Sequence, residues 1–466
     1  GARRGGIRPG RPRGVSVKRL EAGAIYTFGT GDYGELGFPA RDLQVLTPKK
    51  LPFPGNISVH QAATSGLFTV ALATDGQVYT WGVNDGGALG RPAGHICKMK
   101  SGLKGPYGSE RVPEPVNIPT TERIVQISAG DGHAAALDEI GNVYMWGTFQ
   151  NDEGVFGIDP DTKISWLPKK VTIKMRDYQD RIVRLASGAH HIVALSRRGA
   201  MYTWGSGDQG QLGRPVKSMV ERHCRAASLT PRLIPQRGLG SIFEVGCGAY
   251  TTFAISRRGV FVWGLNNYGQ LGIPLPQNAS GIQFVFKPTR SEALSALNIT
   301  SIAGSIHHTL ALSNGKLYSF GRGTYGRLGR SDVNHKTDDA KPDPRPVEKL
   351  EGVNITSFSA GMAISGATGS EPGQVYMWGM GTTSQLGKDD LFPDDEHYPS
   401  IVEFKENTTL RAAIPRSISI GGAHVVVLDR IDPPANTINT RNTRNTLDIE
   451  TRETADSGHC DSCAGS

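Results

Sequence analysis

Short apolar runs alternate with turn-rich stretches along almost the whole chain. HAAAL (133–137) is followed by DEIGN and VYMW (143–146); HIVAL (191–195) is followed by SRRG and MYTW (201–204). Runs of four to six apolar residues bounded by Gly, Asn, Asp and Ser predict β-strands joined by tight turns. No amphipathic helical period recurs between them, which argues against a helical solenoid.

The pattern is a repeat. One segment recurs seven times: YTFGTGDYGELG (26–37), YTWGVNDGGALG (79–90), YMWGTFQNDEGVFG (144–157), YTWGSGDQGQLG (202–213), FVWGLNNYGQLG (261–272), YSFGRGTYGRLG (318–329) and YMWGMGTTSQLG (376–387). The aromatic residue before its first Gly falls at Phe28, Trp81, Trp146, Trp204, Trp263, Phe320 and Trp378, in steps of 53 to 65 residues. A second segment precedes most copies, as in SAGDGHAAAL (128–137). One four-stranded unit cannot bury both faces by itself, whereas units stacked radially do so and leave few open edges. The expected fold is therefore all-β, a seven-bladed β-propeller. The first copy has no partner segment before it, and SISIGGAHVVVLD (417–429) has no copy after it. Each is half a repeat, so the ring is expected to close by pairing the two termini in one blade. This divides the chain into a flexible arm (1–20), the propeller (21–430) and a polar, disordered tail (431–466).

Composition agrees with many turns: Gly makes up 60 of 466 residues, about twice the usual share. The net charge of +8 is concentrated in the arm. Arg3, Arg4, Arg8, Arg11, Arg13, Lys18 and Arg19 face no acid there, and removing those seven charges leaves about +1. Such an arm suits phosphate contacts or nuclear import. No run of 18 apolar residues suggests a membrane span, and the first residues do not form a signal peptide. Five scattered Cys point to a reducing compartment. Cys460 and Cys463 beside His459 lack the further ligands that zinc requires, so no metal or other cofactor is expected. The sequons at Asn56, Asn278, Asn298, Asn354 and Asn407 matter only in a secreted protein.

A repeat separates scaffold from site: a residue shared by most copies is structural, and one that breaks the pattern on a loop is a functional candidate. His133, His191, His308 and His424 share one position, replaced by Phe68 and Thr251 elsewhere, and read as blade-internal hydrogen-bonding groups. Five of the six Trp are blade-core residues. Asp131, His190 and His307 break the pattern in loops that open on one face around the central channel. Asp32 and Arg214 are further candidates for that face, and His424 is carried on both readings. The third copy is two residues longer than its peers. It predicts a hairpin with Asn151 and Asp152 at the tip, flanked by Phe149, Val155 and Phe156. The chain has no catalytic triad, and it lacks the G-x-x-x-x-G-K-[ST] loop that would bind a nucleotide.

The paired signature, A-G-x-x-H-x-x-A-L followed by V-Y-x-W-G-x-G-x-x-G-x-L-G, resembles the repeat of the regulator of chromosome condensation family over roughly residues 26–428. The resemblance implies a guanine-nucleotide exchange factor for the small GTPase Ran, a regulator rather than an enzyme. It implies that Phe149, Gln150, Asn151, Asp152, Glu153, Gly154, Val155 and Phe156 form a wedge that enters the GTPase. Asp32, Asp131, His190, Arg214, His307 and His424 would form the binding face. His190 stands where the family typically has Asp. The resemblance further implies a nuclear, chromatin-bound monomer supporting nucleocytoplasmic transport and mitosis. Its arm would touch DNA, and Arg222 and Arg225, on a loop of the opposite face, would meet the acidic histone surface of the nucleosome. The alternative is a propeller scaffold or adaptor without exchange activity. A light sensor built on clustered Trp and a glycosylated extracellular propeller fit less well.

Overall fold

The computed structural model describes residues 23–430, except 40–43, 103–107, 215–221, 276–281, 383, 391–392 and 403–410. The basic arm and the C-terminal tail lie outside the described residues. Among the described residues there are seven four-stranded antiparallel sheets and one separate two-stranded hairpin. Blades 1 to 6 occupy 59–116, 124–171, 182–233, 242–291, 301–346 and 355–401. Blade 7 combines Ile414–Ile420 and His424–Arg430 with Ile25–Thr30 and Gln44–Lys50. Ile25–Thr30 pairs antiparallel with His424–Arg430, Ile25 opposite Leu428 and Gly29 opposite His424. The Ala24 N–H also donates to Asp429 Oδ1 at 2.5 Å. Closure by the two half-repeats is thus realised.

The first strand of each blade lines the channel. Residues from all seven blades, among them Ser65, Asp131, Gly188, Ala249, Ser305, Gly361 and Gly421, surround a cavity of about 240 Å³. Strands alternate in direction within a blade. The loop between the first and second strands therefore opens on the same face as the loop after the third. The chain enters blade 7 at Gly23 and leaves at Arg430 on the opposite face.

The repeated residues clasp neighbouring blades. Trp81, Trp146, Trp263 and Trp378 donate their indole N–H to the carbonyls of Glu35, Ala88, Gln211 and Arg327 in the preceding blade, at 2.8 to 3.0 Å. The Gly of the LG dipeptide makes room for this. Gly90 has φ +63°, and a Cβ there would lie 2.7 Å from the Trp146 ring. The shared histidines tie blades in the other direction. His191 bonds Thr252, His308 bonds Ser365 and His424 bonds Thr69, at 2.7 to 2.9 Å. His133 departs from the expected role: neither ring nitrogen has a hydrogen-bond partner among the described residues. The facing position in blade 3 is Ile192, which has no hydroxyl. His133 packs instead against the Phe149 ring, 4.6 Å away.

All four histidines are fully enclosed, and burial holds their imidazoles below the ordinary value, at about 4 for His424 and about 3 for His191. The folded state therefore refuses protons that the unfolded chain accepts. Stability is complete above the unfolded value near 6.5 and falls as pH drops toward the folded values. His424 alone accounts for about 3 kcal/mol once pH reaches 4. Urea midpoints measured from pH 7 to pH 4.5 should fall steeply, and His424→Gln, which keeps a hydrogen-bonding group but does not titrate, should flatten the fall. Parallel profiles for the two proteins would contradict this.

Candidate functional site

The feature that stands outside the blade pattern is the hairpin. Phe149–Asn151 pairs with Gly154–Gly157, Gln150 opposite Val155 and Asn151 opposite Gly154. The turn is therefore Asp152–Glu153, one residue later than the expected tip, and Asn151 Oδ1 accepts the Glu153 N–H across it. Gly154 supplies the φ of +106° that the turn needs. The hairpin has an apolar root and a charged end. Phe149 and Phe156 are buried in the core between blades 2 and 3, with Leu185, Ile192 and Trp204. Asp152, Glu153 and Val155 are exposed. Hence only part of the expected wedge is available to a partner: the two phenylalanines anchor it.

Around the channel mouth the side chains divide by charge. On blades 2 to 4 the groups are acidic. Asp131 is exposed, accepts the Ser65 hydroxyl at 2.9 Å and donates its backbone N–H to the Ala189 carbonyl. Asp208, in the loop after the third strand of blade 3, accepts from Ser206 at 3.0 Å. Burial, then the nearby Asp152 and Glu153, raise its carboxyl above the usual range. The Tyr250 phenol is raised by burial and by Asp131 and Asp152. Asp131, Asp152, Glu153 and Asp208 thus form one negative region between the hairpin and the channel.

On blades 4 to 6 the groups are aromatic and basic. His307 meets Tyr268 edge to face, with centroids 5.2 Å apart. Arg322 lies 4.9 Å from the Tyr268 ring and donates to the Asp338 carboxylate through Nε and Nη2, one edge of its guanidinium. Arg327, almost fully buried, donates to the Met362 carbonyl at 3.1 Å and sits 5.4 Å from the exposed Tyr325 ring. Burial, and then Arg327 and Arg322, push the His307 imidazole down to about 4. At neutral pH it is an uncharged hydrogen-bonding group. His190 is half-buried and accepts the Gln150 N–H at Nδ1, 3.3 Å away.

Of the expected face residues, Asp131, His190 and His307 are all placed around the mouth. Asp32 is exposed in the loop after the third strand of blade 7, which opens on the same face. Two others are not on the surface. Arg214 is buried, with Nη2 donating to the carbonyls of Thr203 and Ser228 at 3.2 Å. Burial pushes its guanidinium down to about 10. Arg91 and Arg330 stand at the same repeat position and also tie the third strand to the segment after it, so Arg214 is scaffold. His424 is wholly buried and bonds Thr69. Arg222 begins the helix Arg222–Leu229, and its side chain lies outside the described residues. Arg225 packs against Gly157, where a Cβ would lie 2.3 Å from Nη2, and so flanks the hairpin rather than the opposite face. Tyr250 and Asp208 escaped the sequence reading although the repeat points to both. Tyr250 holds the position of His190 and His307, and Asp208 that of Asp32. Among the described residues, no group of three or more His, Cys, Asp or Glu is arranged to hold a metal.

The site is thus a core-anchored hairpin beside the charge-divided channel mouth of a closed seven-bladed propeller. The chain belongs to the RCC1-like domain family, whose sequence model matches residues 24–427. It is 37% identical over 418 residues to the regulator of chromosome condensation of Mus musculus, covering 88% of this chain and 91% of that one. It is 32% identical over 422 residues to the guanine nucleotide exchange factor SRM1 of Saccharomyces cerevisiae, covering 84% and 83%. Among solved structures it resembles Prp20p of Saccharomyces cerevisiae, described with its binding properties to Gsp1p and histones. That match has a TM-score of 0.74 and 29% identity, and covers 89% of this chain and 93% of that one. These relatives are regulators, named for nucleotide exchange or chromosome condensation, rather than enzymes.

Proposed function

We propose that this chain is a guanine-nucleotide exchange factor for the small GTPase Ran that works while bound to chromatin in the nucleus, as a monomer. The observation that carries the reading is the hairpin: an element with a carboxylate tip, anchored by buried Phe149 and Phe156 beside the acidic half of the channel mouth. A GTPase holds its nucleotide through backbone amides, a Lys and Mg²⁺ around the phosphates. A carboxylate-tipped wedge driven beside that site competes for the same cationic groups. The face around Asp131 and His307 then binds the loosened GTPase. By linkage, whatever factor the protein takes from nucleotide affinity, nucleotide takes from the protein's own affinity, so incoming GTP releases the complex. Exchange is accelerated without moving the equilibrium, and the cellular excess of GTP sets its direction. Through that activity the chain would support nucleocytoplasmic transport and mitosis.

Chromatin attachment has a separate place. The chain enters the propeller at Gly23 on the face away from the hairpin. Exposed Arg197, Arg198, Arg257 and Arg258, in the turns between the second and third strands of blades 3 and 4, stand on that same face. These arginines, of which Arg198 is paired with Asp177, and the basic charge of the arm in the sequence suit nucleosomal DNA, and the affinity should fall steeply with salt.

The deciding assay is release of fluorescent GDP from purified Ran with catalytic amounts of this protein. Acceleration by orders of magnitude is expected, with a loss of roughly tenfold or more on His307→Ala or Asp131→Asn at unchanged melting temperature. A folded protein that leaves the release rate untouched would point to the scaffold reading.

A further inference from the structure

His190 was expected to face the partner, yet its ring is turned to the hairpin. Nδ1 accepts the backbone N–H of Gln150, the first residue after the buried anchor Phe149. The loop that carries His190 is itself held on both sides. The Ala189 carbonyl accepts the Asp131 N–H from blade 2, and the His190 carbonyl accepts the Ser206 N–H within blade 3. The imidazole therefore bridges a fixed loop of blade 3 to a hairpin that grows out of blade 2. Phe149 and Phe156 fix the hairpin's root in the core. Among the described hydrogen bonds, the one from Gln150 to His190 is what holds the base of its outgoing strand to blade 3.

The bond constrains the protonation state. Nδ1 accepts only when it carries no proton, so the hydrogen bond selects the neutral ring with its proton on Nε2. A doubly protonated ring would turn an N–H toward the Gln150 N–H and repel it. Two influences act on the charge of the ring in opposite senses. Burial lowers the imidazole below its ordinary value and Asp131 of blade 2 raises it. His133 of blade 2 and His191 of blade 3 are its buried neutral neighbours. Beyond Asp131 the same side of the channel mouth carries Asp208 of blade 3, within electrostatic reach of Asp152 and Glu153 of the hairpin, and Tyr250 of blade 4, within reach of Asp131 and Asp152.

We propose that His190 is a positioning residue: as a neutral imidazole it latches the hairpin, and on protonation it releases Gln150 and turns its charge to Asp131, so that acid both frees the wedge and cancels part of the negative region. This rests on the exchange reading for its consequence but not for its existence. Losing the latch leaves the docking face intact. Its effect should therefore fall on the maximal exchange rate at saturating GTPase more than on the GTPase concentration that gives half of it.

Two measurements test the latch. The first uses the free full-length protein. Hydrogen exchange at the Gln150 amide should be slow in the wild type and in His190→Asn, whose Oδ1 replaces Nδ1 as acceptor, and at least about fivefold faster in His190→Ala. Equal protection in the wild type and His190→Ala would overturn the latch. The second is fluorescent GDP release from Ran. At pH 7 His190→Ala should lose about fivefold in maximal rate and His190→Asn should restore it. As pH is lowered from 7 the ratio of wild-type rate to the His190→Asn rate should fall, since position 190 carries a titratable ring only in the wild type; the ratio removes the GTPase's own pH response. A constant ratio would overturn the pH-dependent release. If the Gln150 amide behaves as expected but no variant or wild type accelerates GDP release, the latch stands and the exchange reading fails.

Discussion

Replacing Gln150–Glu153 with a shorter Gly turn should abolish accelerated nucleotide release while leaving the melting temperature almost unchanged. The two halves of that expectation have different physical sources. Stability is insulated because the removed tip side chains are exposed or half-exposed, whereas the anchors Phe149, Phe156 and Ile158 stay in the core between blades 2 and 3. Activity is exposed because the tip presents two exposed carboxylates, Asp152 and Glu153, on a hairpin anchored by buried Phe149 and Phe156. A loss of at least roughly a hundredfold is expected, about 2.7 kcal/mol of lost differential binding to the loosened GTPase. The check pairs fluorescent GDP release with a thermal melt. Full exchange in a folded, shortened protein would remove the wedge from the mechanism and leave the channel-mouth residues to account for activity. Loss of both folding and exchange would mean that the hairpin belongs to the core of blade 2.

Deletion of residues 414–430 should leave no cooperatively folded protein. These residues are the first two strands of blade 7. Ile418, Ile420, Val425, Val426, Val427 and Leu428 are each at most 6% exposed and share a core with Phe28, Trp81, Ile364 and Met377. Burying each aliphatic side chain is worth about 1.5–3 kcal/mol, so the six together match or exceed the roughly 5–15 kcal/mol net stability of an ordinary domain. The deletion also strips a strand partner from Ile25–Thr30, leaving that edge open, and uncovers the faces of blades 6 and 1 that packed on blade 7. Circular dichroism and size-exclusion chromatography should show lost tertiary structure and aggregation. A monomer that melts within a few degrees of the intact chain would show that closure is dispensable. Such a result would be expected of an open solenoid and not of a ring.

Much of the scaffold was legible because repetition averages out local accidents. Seven aromatic-Gly segments at 53 to 65 residue steps and two unmatched halves led directly to seven blades and a shared closing blade. The extra length of the third copy located the hairpin. Where the same reasoning slipped, the repeat had the correction within it. Arg214 shares its position with Arg91 and Arg330 and, like them, binds backbone carbonyls. Tyr250 shares the position of His190 and His307. His133 differs from its three counterparts for a reason that lies one blade away, in Ile192 where the others meet Thr or Ser.

The sequence by itself determined the elements, their order, the fold class and the loop that would protrude, since all of these follow from periodicity and turn chemistry within one unit. Tertiary structure alone decided which side chains meet. Asp208 and the hairpin acids come from different blades, Arg327 reaches the Met362 carbonyl across a blade boundary, and the His190 ring turns to Gln150 rather than to solvent. A repeat position says where along its own blade a residue lies. The partner across the boundary is set by how neighbouring blades pack around the channel, and that packing brings together residues that no local pattern relates.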